Sequence, residues 1–257
     1  MNIKMIVTDL DRTLLHTDET ISDYSLNVLK RYHEAGIKIV YATGRGGRSA
    51  KSVATSELFD GGITQSGAVI VVDESIMARY TIPLDKVRSM LNSFYEYGLN
   101  AMAEDDRHYY GSKKTYDFVT NGWTSPANFI IVDLPSIMIE AEKINVFVYN
   151  QDDIDFVRSN LYDHMYLTVA RDGHGMILRD EATKATAVAK LAELWGIESK
   201  EIISFGDDMI DIDVLAYSGI GVAVSNAIDE VKAVADYVCD TNDNDGVAKW
   251  LEENVIK

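Results

Sequence analysis

Short apolar runs alternate along this chain with segments whose apolar residues recur at helical spacing. Buried strands of a parallel sheet are apolar throughout and are connected by helices, so this alternation is typical of βαβ units. The run before Asp9 predicts a first strand, and residues 37–42 and 202–205 predict two more. Ser22 or Asp23 can cap the helix that follows the first strand. We therefore expect an α/β fold with a Rossmann-like, doubly wound parallel sheet.

The pattern changes in the middle of the chain. From about residue 83 to 183, aromatic and polar residues alternate, and two helical patterns occur at 84–97 and 152–161. This texture predicts an α+β module inserted into the first domain. We expect a core formed by 1–82 with 184–257, and an insert formed by 83–183.

Composition narrows the class of partner. The 257 residues carry a formal net charge of −17, which disfavours nucleic acid or an anionic membrane as partner, since both need a cationic surface. Cys239 is the only cysteine, so an intrachain disulfide is impossible. Neither a signal region nor an apolar run of membrane-spanning length is present, so we expect a soluble, cytoplasmic protein.

The first predicted strand ends in two carboxylates, Asp9 and Asp11, spaced two residues apart. The period of a strand would point both side chains the same way at the end of the sheet. Two like charges held together require a cation, a shared proton or a chemical task. An ordinary junction between a strand and a turn is the alternative.

Polar groups follow other predicted elements in the same way. In open α/β sheets ligands bind at the carboxyl ends of the strands. Thr43 and Gly44 offer a hydroxyl and backbone N–H groups suited to a phosphate oxygen, and Lys184 at a helix start gains from a bound anion, although a solvated lysine is the alternative. Three further carboxylates, more than helix capping requires, fit a hard cation such as Mg²⁺; they are Asp207, Asp208 and Asp211.

Together these residues resemble the four motifs of the haloacid dehalogenase superfamily of phosphohydrolases. Asp9-Leu10-Asp11-Arg12-Thr13 is similar to the first motif, D-x-D-x-T. Thr43 is similar to the second and Lys184 to the third, and residues 206–211 are similar to the fourth, G-D-x-x-x-D. The position and length of the insert resemble the cap of the Cof-type subfamily.

This resemblance implies a Mg²⁺-dependent phosphatase of small phosphorylated metabolites such as sugar phosphates, nucleotides or vitamin phosphates. It implies that Asp9 is the nucleophile, forming an aspartyl-phosphate intermediate, and that Asp11 is the general acid and then the base. It implies phosphate binding by Thr43, Gly44, Lys184 and Asn226. The implied metal residues are Asp9, Asp11 through its backbone carbonyl, Asp207 and Asp211.

Departures from the family pattern keep alternatives open. Ile210 stands where relatives usually carry Asn, and Ser66 stands at another usual Asn position. A lost hydrogen bond at Ile210 would weaken metal affinity, which leaves a catalytically weak binding or regulatory member as one alternative. A phosphomutase uses the same nucleophile and is a second. A phospho-aspartate receiver domain is a third, but it is about half as long and lacks the insert.

The residues that choose the substrate are the least determined. Arg45, Arg171 and His174 are candidates for contacts with the rest of the substrate. A surface ion pair is the alternative for Arg45, and an ordinary polar loop residue is the alternative for His174. Oligomeric state is not predicted.

Overall fold

The computed structural model describes residues 2–54, 58–122, 128–170 and 173–255. The strands in chain order are β1 (Met5–Thr8), β2 (Lys38–Ala42), β3 (Gly61–Thr64), β4 (Val69–Val72), β5 (Ser75–Arg79), β6 (Asn100–Glu104), β7 (Tyr109–Gly111), β8 (Phe129–Ile131), β9 (Lys143–Phe147), β10 (Met165–Val169), β11 (His174–Arg179), β12 (Ile202–Gly206), β13 (Ile220–Val224) and β14 (Tyr237–Cys239). The helices are α1 (Asp23–Glu34), α2 (Gly47–Lys51), α3 (Leu84–Tyr97), α4 (Lys113–Gly122), α5 (Gln151–Ser159), α6 (Lys184–Trp195), α7 (Ile212–Tyr217), α8 (Asp229–Val234) and α9 (Gly246–Asn254).

The chain divides into two compact units, Met1–Ala78 with Thr183–Lys257 and Arg79–Ala182. We call the first the core unit and the second the cap unit. In the ranges that the structure describes, no helix combines the length and apolar character needed to cross a bilayer.

The core unit is built on an eight-stranded sheet in the order β14-β13-β12-β1-β2-β3-β4-β5. From β14 to β3 the neighbouring strands are parallel, and β4 pairs antiparallel with β3. The predicted α/β class with a parallel sheet is therefore confirmed. The edge strands β5 and β14 are not predicted from the sequence, because most of their residues are exposed and they lack a continuous apolar run.

Strand β1 lies in the middle of this sheet between β12 and β2, and its four residues are buried. The strand order changes direction beside β1, since the chain passes to β2 on one side and returns through β12 on the other. Such a switch point opens a crevice at the carboxyl ends of the strands. Asp9, the residue after β1, is placed in that crevice.

Helix α6 is positioned by close backbone packing at its start. The Thr183 side chain caps the helix by accepting a hydrogen bond from the Thr186 N–H, and Gly196 ends it in the left-handed conformation. Gly67, with φ of +114°, lies against Thr183, where a Cβ atom would come within 2.4 Å of the Thr183 carbonyl. A residue without a side chain is thus required to bring Lys184 to the sheet.

The cap unit contains a six-stranded sheet in the order β10-β11-β9-β6-β7-β8. Its pairings are antiparallel except for the parallel pair of β7 and β8. Alternate residues of β9, such as Ile144 and Val146, join an apolar core with Phe94 of α3. The other face carries buried Lys143 and Asn145 together with Phe147, which packs in a smaller apolar cluster with Met102 and Val119.

Candidate active site

Three buried carboxylates meet at the carboxyl ends of β1 and β12. The two strands pair in parallel, with Thr8 opposite Phe205, so Asp9 and Asp207 leave the sheet near each other. Ligand oxygens of Asp9, Asp207 and Asp211 all lie within 4.8 Å of one another. The sequence predicts a larger group that also includes Asp11 and Asp208, and the structure brings these three members of it together.

Asp211 owes its orientation to the turn that carries it. Its Oδ2 accepts hydrogen bonds from the backbone N–H groups of Asp207, at 3.0 Å, and Asp208, at 3.1 Å. A Cβ atom on Gly206 would lie 2.4 Å from the Asp211 Cβ, so only glycine lets the carboxylate fold back over the strand end. The glycine that opens the stretch 206–211 is therefore required for a steric reason.

Lys184 bridges two of these carboxylates. Its Nζ lies 2.6 Å from Asp9 Oδ1 and 2.6 Å from Asp211 Oδ1, and its side chain has no exposed surface. The solvated alternative for this lysine is therefore wrong. Burial lowers the pKa of Lys184, but the ion pairs with Asp211 and Asp9 outweigh it and leave the pKa above its ordinary value.

The site has more negative charge than one ammonium can neutralise. Burial, with smaller contributions from Asp211 and Asp207, raises the pKa of the Asp9 carboxyl well above its usual range, although Lys184 lowers it. Burial, followed by the charges of Asp211 and Asp208, raises the pKa of Asp207 to about 7. Clustered carboxylate oxygens in need of positive charge are the donor set that suits a hard divalent cation.

Asp11 lies outside this group of three. The backbone is still extended at Asp11, with φ of −66° and ψ of 124°, and it becomes left-handed at Arg12, with φ of 59°. The Asp11 carboxylate pairs with Arg45, whose Nε donates to Oδ2 at 2.8 Å and whose Nη2 donates to Oδ1. Asp9 and Asp11 thus have different partners, and for Arg45 the structure shows an ion pair.

Thr43 and Gly44 form a turn after β2. Thr43 is fully buried, and its Oγ1 accepts a hydrogen bond from the Arg45 N–H at 3.1 Å. The two departures from the family pattern both border this turn, because Ser66 Oγ and Ile210 Cδ1 lie 3.5 and 3.6 Å from where a Gly44 Cβ would be. Ile210 therefore forms an apolar wall beside the turn.

Asn226 follows β13 at the same edge of the sheet. Its Nδ2 donates to the Arg12 carbonyl at 2.8 Å, and its Oδ1 accepts from the Asn242 N–H at 3.0 Å. The amide nitrogen has a second N–H besides the one given to Arg12, so it can donate to a phosphate oxygen with both of these bonds intact.

His174 lies in the cap unit and is the first residue of β11, so the expectation of a loop residue is wrong. Its Nε2 lies 2.8 Å from Asn145 Oδ1, and its ring stacks on Phe147 at 5.5 Å between centroids. Arg171 lies outside the described residues.

Two further residues contact the acidic group without having been singled out from the sequence. Thr13 Oγ1 donates to Asp207 Oδ1 at 3.3 Å, and Arg12 Nε lies 3.9 Å from Asp207 Oδ2. Both belong to the stretch that resembles the first motif. Their place in this motif is the sequence signal that could have identified them.

Comparison with known proteins agrees with this geometry. The sequence profile of haloacid dehalogenase-like hydrolases matches residues 6–251, nearly the whole chain. The chain belongs to this hydrolase family. The resemblance predicted from the motifs, including the Cof-type phosphatases, is therefore confirmed.

Full-length relatives of this hydrolase carry phosphatase names. It is 31% identical over 264 residues to the 5-amino-6-(5-phospho-D-ribitylamino)uracil phosphatase YitU of Bacillus subtilis, covering 97% of this chain and 96% of that one. It is 26% identical over 274 residues to the pyridoxal phosphate phosphatase YbhA of Escherichia coli, covering 100% of both. Among solved structures it is similar to BT1666 of Bacteroides thetaiotaomicron, described as a phosphatase of this superfamily, with a TM-score of 0.87, 28% identity and coverage of 98% and 94%. The predicted enzyme class, a phosphoric monoester hydrolase, is confirmed.

Proposed function

We propose that this hydrolase is a Mg²⁺-dependent phosphatase of small phosphorylated metabolites that works through an aspartyl-phosphate on Asp9. The observation that carries the proposal is the Lys184 bridge from Asp9 to Asp211, with Asp207 beside it. A buried carboxylate held by a cation at a strand end is fixed for attack on a phosphorus atom.

The proposed reaction has two steps. In the first, an Asp9 oxygen bonds to phosphorus as the bond from phosphorus to the ester oxygen breaks, and Asp11 gives that oxygen a proton, so an alcohol leaves. In the second, a water oxygen bonds to the phosphorus of the aspartyl-phosphate and gives a proton to Asp11 as the bond from phosphorus to the Asp9 oxygen breaks, so inorganic phosphate leaves and the Asp9 carboxylate is restored. Splitting the reaction in this way and positioning the acid–base lower a barrier that is very high for unassisted phosphate monoesters.

The residues that would hold Mg²⁺ are Asp9, Asp207 and the backbone carbonyl of Asp11, with Asp211 supporting them. The convergence of buried carboxylate oxygens of Asp9, Asp207 and Asp211 within 4.8 Å of one another supports this assignment, because this is the donor set that a hard divalent cation prefers. When bound, a divalent cation supplies charge that neutralises the phosphoryl oxygens.

The phosphoryl group would be held from two sides of the sheet switch point. An ammonium has three donors, and Lys184 uses two on Asp9 and Asp211, so a third suits a phosphoryl oxygen. On the other side Thr43 and Gly44 offer a hydroxyl and a backbone N–H. Asn226 completes the set by holding the Arg12 carbonyl and so the shape of the turn.

Substrate class is proposed from size and charge. The two named relatives are phosphatases of 5-amino-6-(5-phospho-D-ribitylamino)uracil and of pyridoxal phosphate, as their names state, which supports small phosphate monoesters as substrates. Sugar phosphates, nucleotides and vitamin phosphates have this chemistry. We propose that the cap unit selects among them, that His174 and Arg171 are candidate contacts, and that neither nucleic acid nor a membrane is a partner. The net charge of −17 supports the last point.

The test is phosphate release from a panel of sugar phosphates, nucleotides, vitamin phosphates and an aryl phosphate, with Mg²⁺ and with EDTA. We expect release from some of these compounds with Mg²⁺ and a loss of release with EDTA. Asp9→Asn should lose activity, whereas Asp163→Asn, an exposed control in the cap unit, should keep it. No release from any compound would overturn the proposed function.

A further inference from the structure

The guanidinium of Arg45 forms a bidentate ion pair with both oxygens of the Asp11 carboxylate. Nε donates to Oδ2 over 2.8 Å, and Nη2 donates to Oδ1. Among the described residues, these are the hydrogen bonds that the Asp11 side chain makes. A two-pronged pair of this kind fixes the plane of the carboxylate as well as its position.

Arg45 is itself held in place. Its backbone N–H donates to Thr43 Oγ1 at 3.1 Å, and its carbonyl accepts from the Gln65 N–H at 2.9 Å. Its Nη2 also lies 3.3 Å from a Glu19 carboxylate oxygen, and only 14% of its side chain is exposed. The guanidinium therefore has a fixed position relative to the turn after β2.

The turn that carries Asp11 does not fix its side chain. Asp11 has extended backbone angles just before a left-handed residue, and 47% of its side chain is exposed. A half-exposed carboxylate on such a turn can rotate among staggered conformers unless a partner holds it. Arg45 is that partner.

We propose that Arg45 is a positioning residue for Asp11, orienting it to protonate the leaving oxygen. The inference rests on the proposed function, since it takes Asp11 as the acid–base. A carboxylate has about four lone-pair sites, and Arg45 occupies two, which leaves room for the transferred proton. That proton passes from Asp11 to the ester oxygen as the bond to phosphorus breaks. Arg45 exchanges no proton itself.

The competing role for Arg45 is direct binding of the phosphoryl group. The two roles differ in how they depend on the leaving group. A nitrophenolate leaves without being protonated, whereas an alkoxide requires a proton. A phosphate contact would serve both esters equally, but orientation of Asp11 would matter mainly for the alkyl ester.

The experiment measures kcat/KM of wild type, Arg45→Lys and Arg45→Met on p-nitrophenyl phosphate and on an alkyl phosphate that the wild type hydrolyses. This parameter covers the steps up to departure of the alcohol, so it excludes the hydrolysis of the aspartyl-phosphate that all substrates share. Arg45→Lys keeps the positive charge but loses the bidentate geometry, so it provides the test if Arg45→Met does not fold. Arg48→Lys, an exposed residue of α2, is the matched control.

We expect the Arg45 variants to lose roughly 10–100-fold in kcat/KM on the alkyl ester and less than about 3-fold on the aryl ester, because misplacing the acid forfeits only part of the roughly 10²–10⁴-fold that general acid catalysis contributes. Asp11→Asn should show the same dependence on the leaving group. Adding Arg45→Lys to Asp11→Asn should cause no further loss, because residues that act as a unit are not additive. Arg48→Lys should match the wild type.

Equal losses on the two esters, or a further loss in the Asp11→Asn background, would overturn the positioning role. Release of phosphate by the wild type is read in the same assay. Failure of that release would instead overturn the proposed function, so the two failures are distinguishable.

Discussion

The Lys184 ammonium lies 2.6 Å from the Asp9 carboxylate and connects the first residue of α6 to the end of β1. A cation in the first turn of a helix is unfavourable, because the helix start carries partial positive charge. Here its ion pairs with Asp9 and Asp211 offset that cost. The pair therefore couples the position of the proposed nucleophile to the packing of α6.

Replacing Lys184 by Met should destabilise the metal-free protein strongly. The substitution leaves buried carboxylates without their cation, a loss of about 3–5 kcal/mol in the free energy of unfolding. The loss should be smaller at acidic pH, where the carboxyls can take up protons. Denaturant unfolding in EDTA measures it.

The matched control for that measurement is Lys30→Met, on an exposed position of α1. Its free energy of unfolding should stay within about 0.5 kcal/mol of the wild type. A comparable, small change for Lys184→Met would mean that the bridge does not hold the site together.

Asp207→Asn should stabilise the protein without metal and abolish its response to Mg²⁺. Burial raises the pKa of Asp207 to about 7 in the folded state. A raised folded-state pKa stabilises the protein at acidic pH, below the ordinary aspartate pKa, and this contribution is lost as pH rises through 7. At pH 8 the variant should gain roughly 2–4 kcal/mol in the free energy of unfolding relative to metal-free wild type.

Thermal unfolding with and without Mg²⁺ at pH 5.5 and 8 completes that test. Mg²⁺ should raise the unfolding temperature of the wild type more at the higher pH, because the cation competes with protons for the carboxylates. If Asp207→Asn responds to Mg²⁺ as the wild type does, Asp207 is not a metal ligand.

Glu142 in the cap unit should make a separate, pH-dependent contribution. Its side chain is 1% exposed, one oxygen lies 2.9 Å from Arg79 Nη1, and burial raises its pKa to about 7. Its other oxygen has no hydrogen-bond partner among the described residues. The charged form is thus disfavoured in the fold, and stability is lost as pH rises from its ordinary pKa through 7.

Glu142→Gln should remove this dependence. The difference in free energy of unfolding between Glu142→Gln and the wild type should shift by about 2 kcal/mol in favour of the variant from pH 5 to pH 8. Glu96→Gln, on an exposed position of α3, should follow the wild-type profile. Parallel profiles for wild type and Glu142→Gln would show that Glu142 is not forced toward its neutral form.

The sequence sufficed to predict that acids at the ends of β1 and β12 converge, because parallel strands end at one edge of the sheet. It did not separate Asp9, Asp207 and Asp211, which the structure groups, from Asp11 and Asp208. The steric reason for Gly206, by contrast, appears only once the Asp211 side chain is placed against the strand. Patterns of apolar residues predict the elements, while contacts within a turn depend on its final backbone angles.

Side-chain partners across elements were not predictable in the same way. The ion pair of Arg45 with Asp11 and the burial of Lys184 between two carboxylates do not follow from the spacing of residues in the sequence. Each depends on side-chain rotamers that tertiary packing sets. The alternative of a polar loop residue for His174 is wrong for the same reason, because its place at the start of β11 depends on pairing with Phe147 of β9. Exposed edge strands such as β14 were not predicted, because they lack a continuous apolar run.

Phosphorylation of Asp9 can be tested by mass spectrometry of the enzyme quenched in acid during turnover of an aryl phosphate. The Asp11→Asn variant serves best, because loss of the base should slow hydrolysis of the intermediate. We expect the added mass of one phosphoryl group on the peptide containing Asp9, and none in Asp9→Asn. Phosphate release at the wild-type rate by Asp9→Asn, or a phosphoryl group found on another residue, would contradict it.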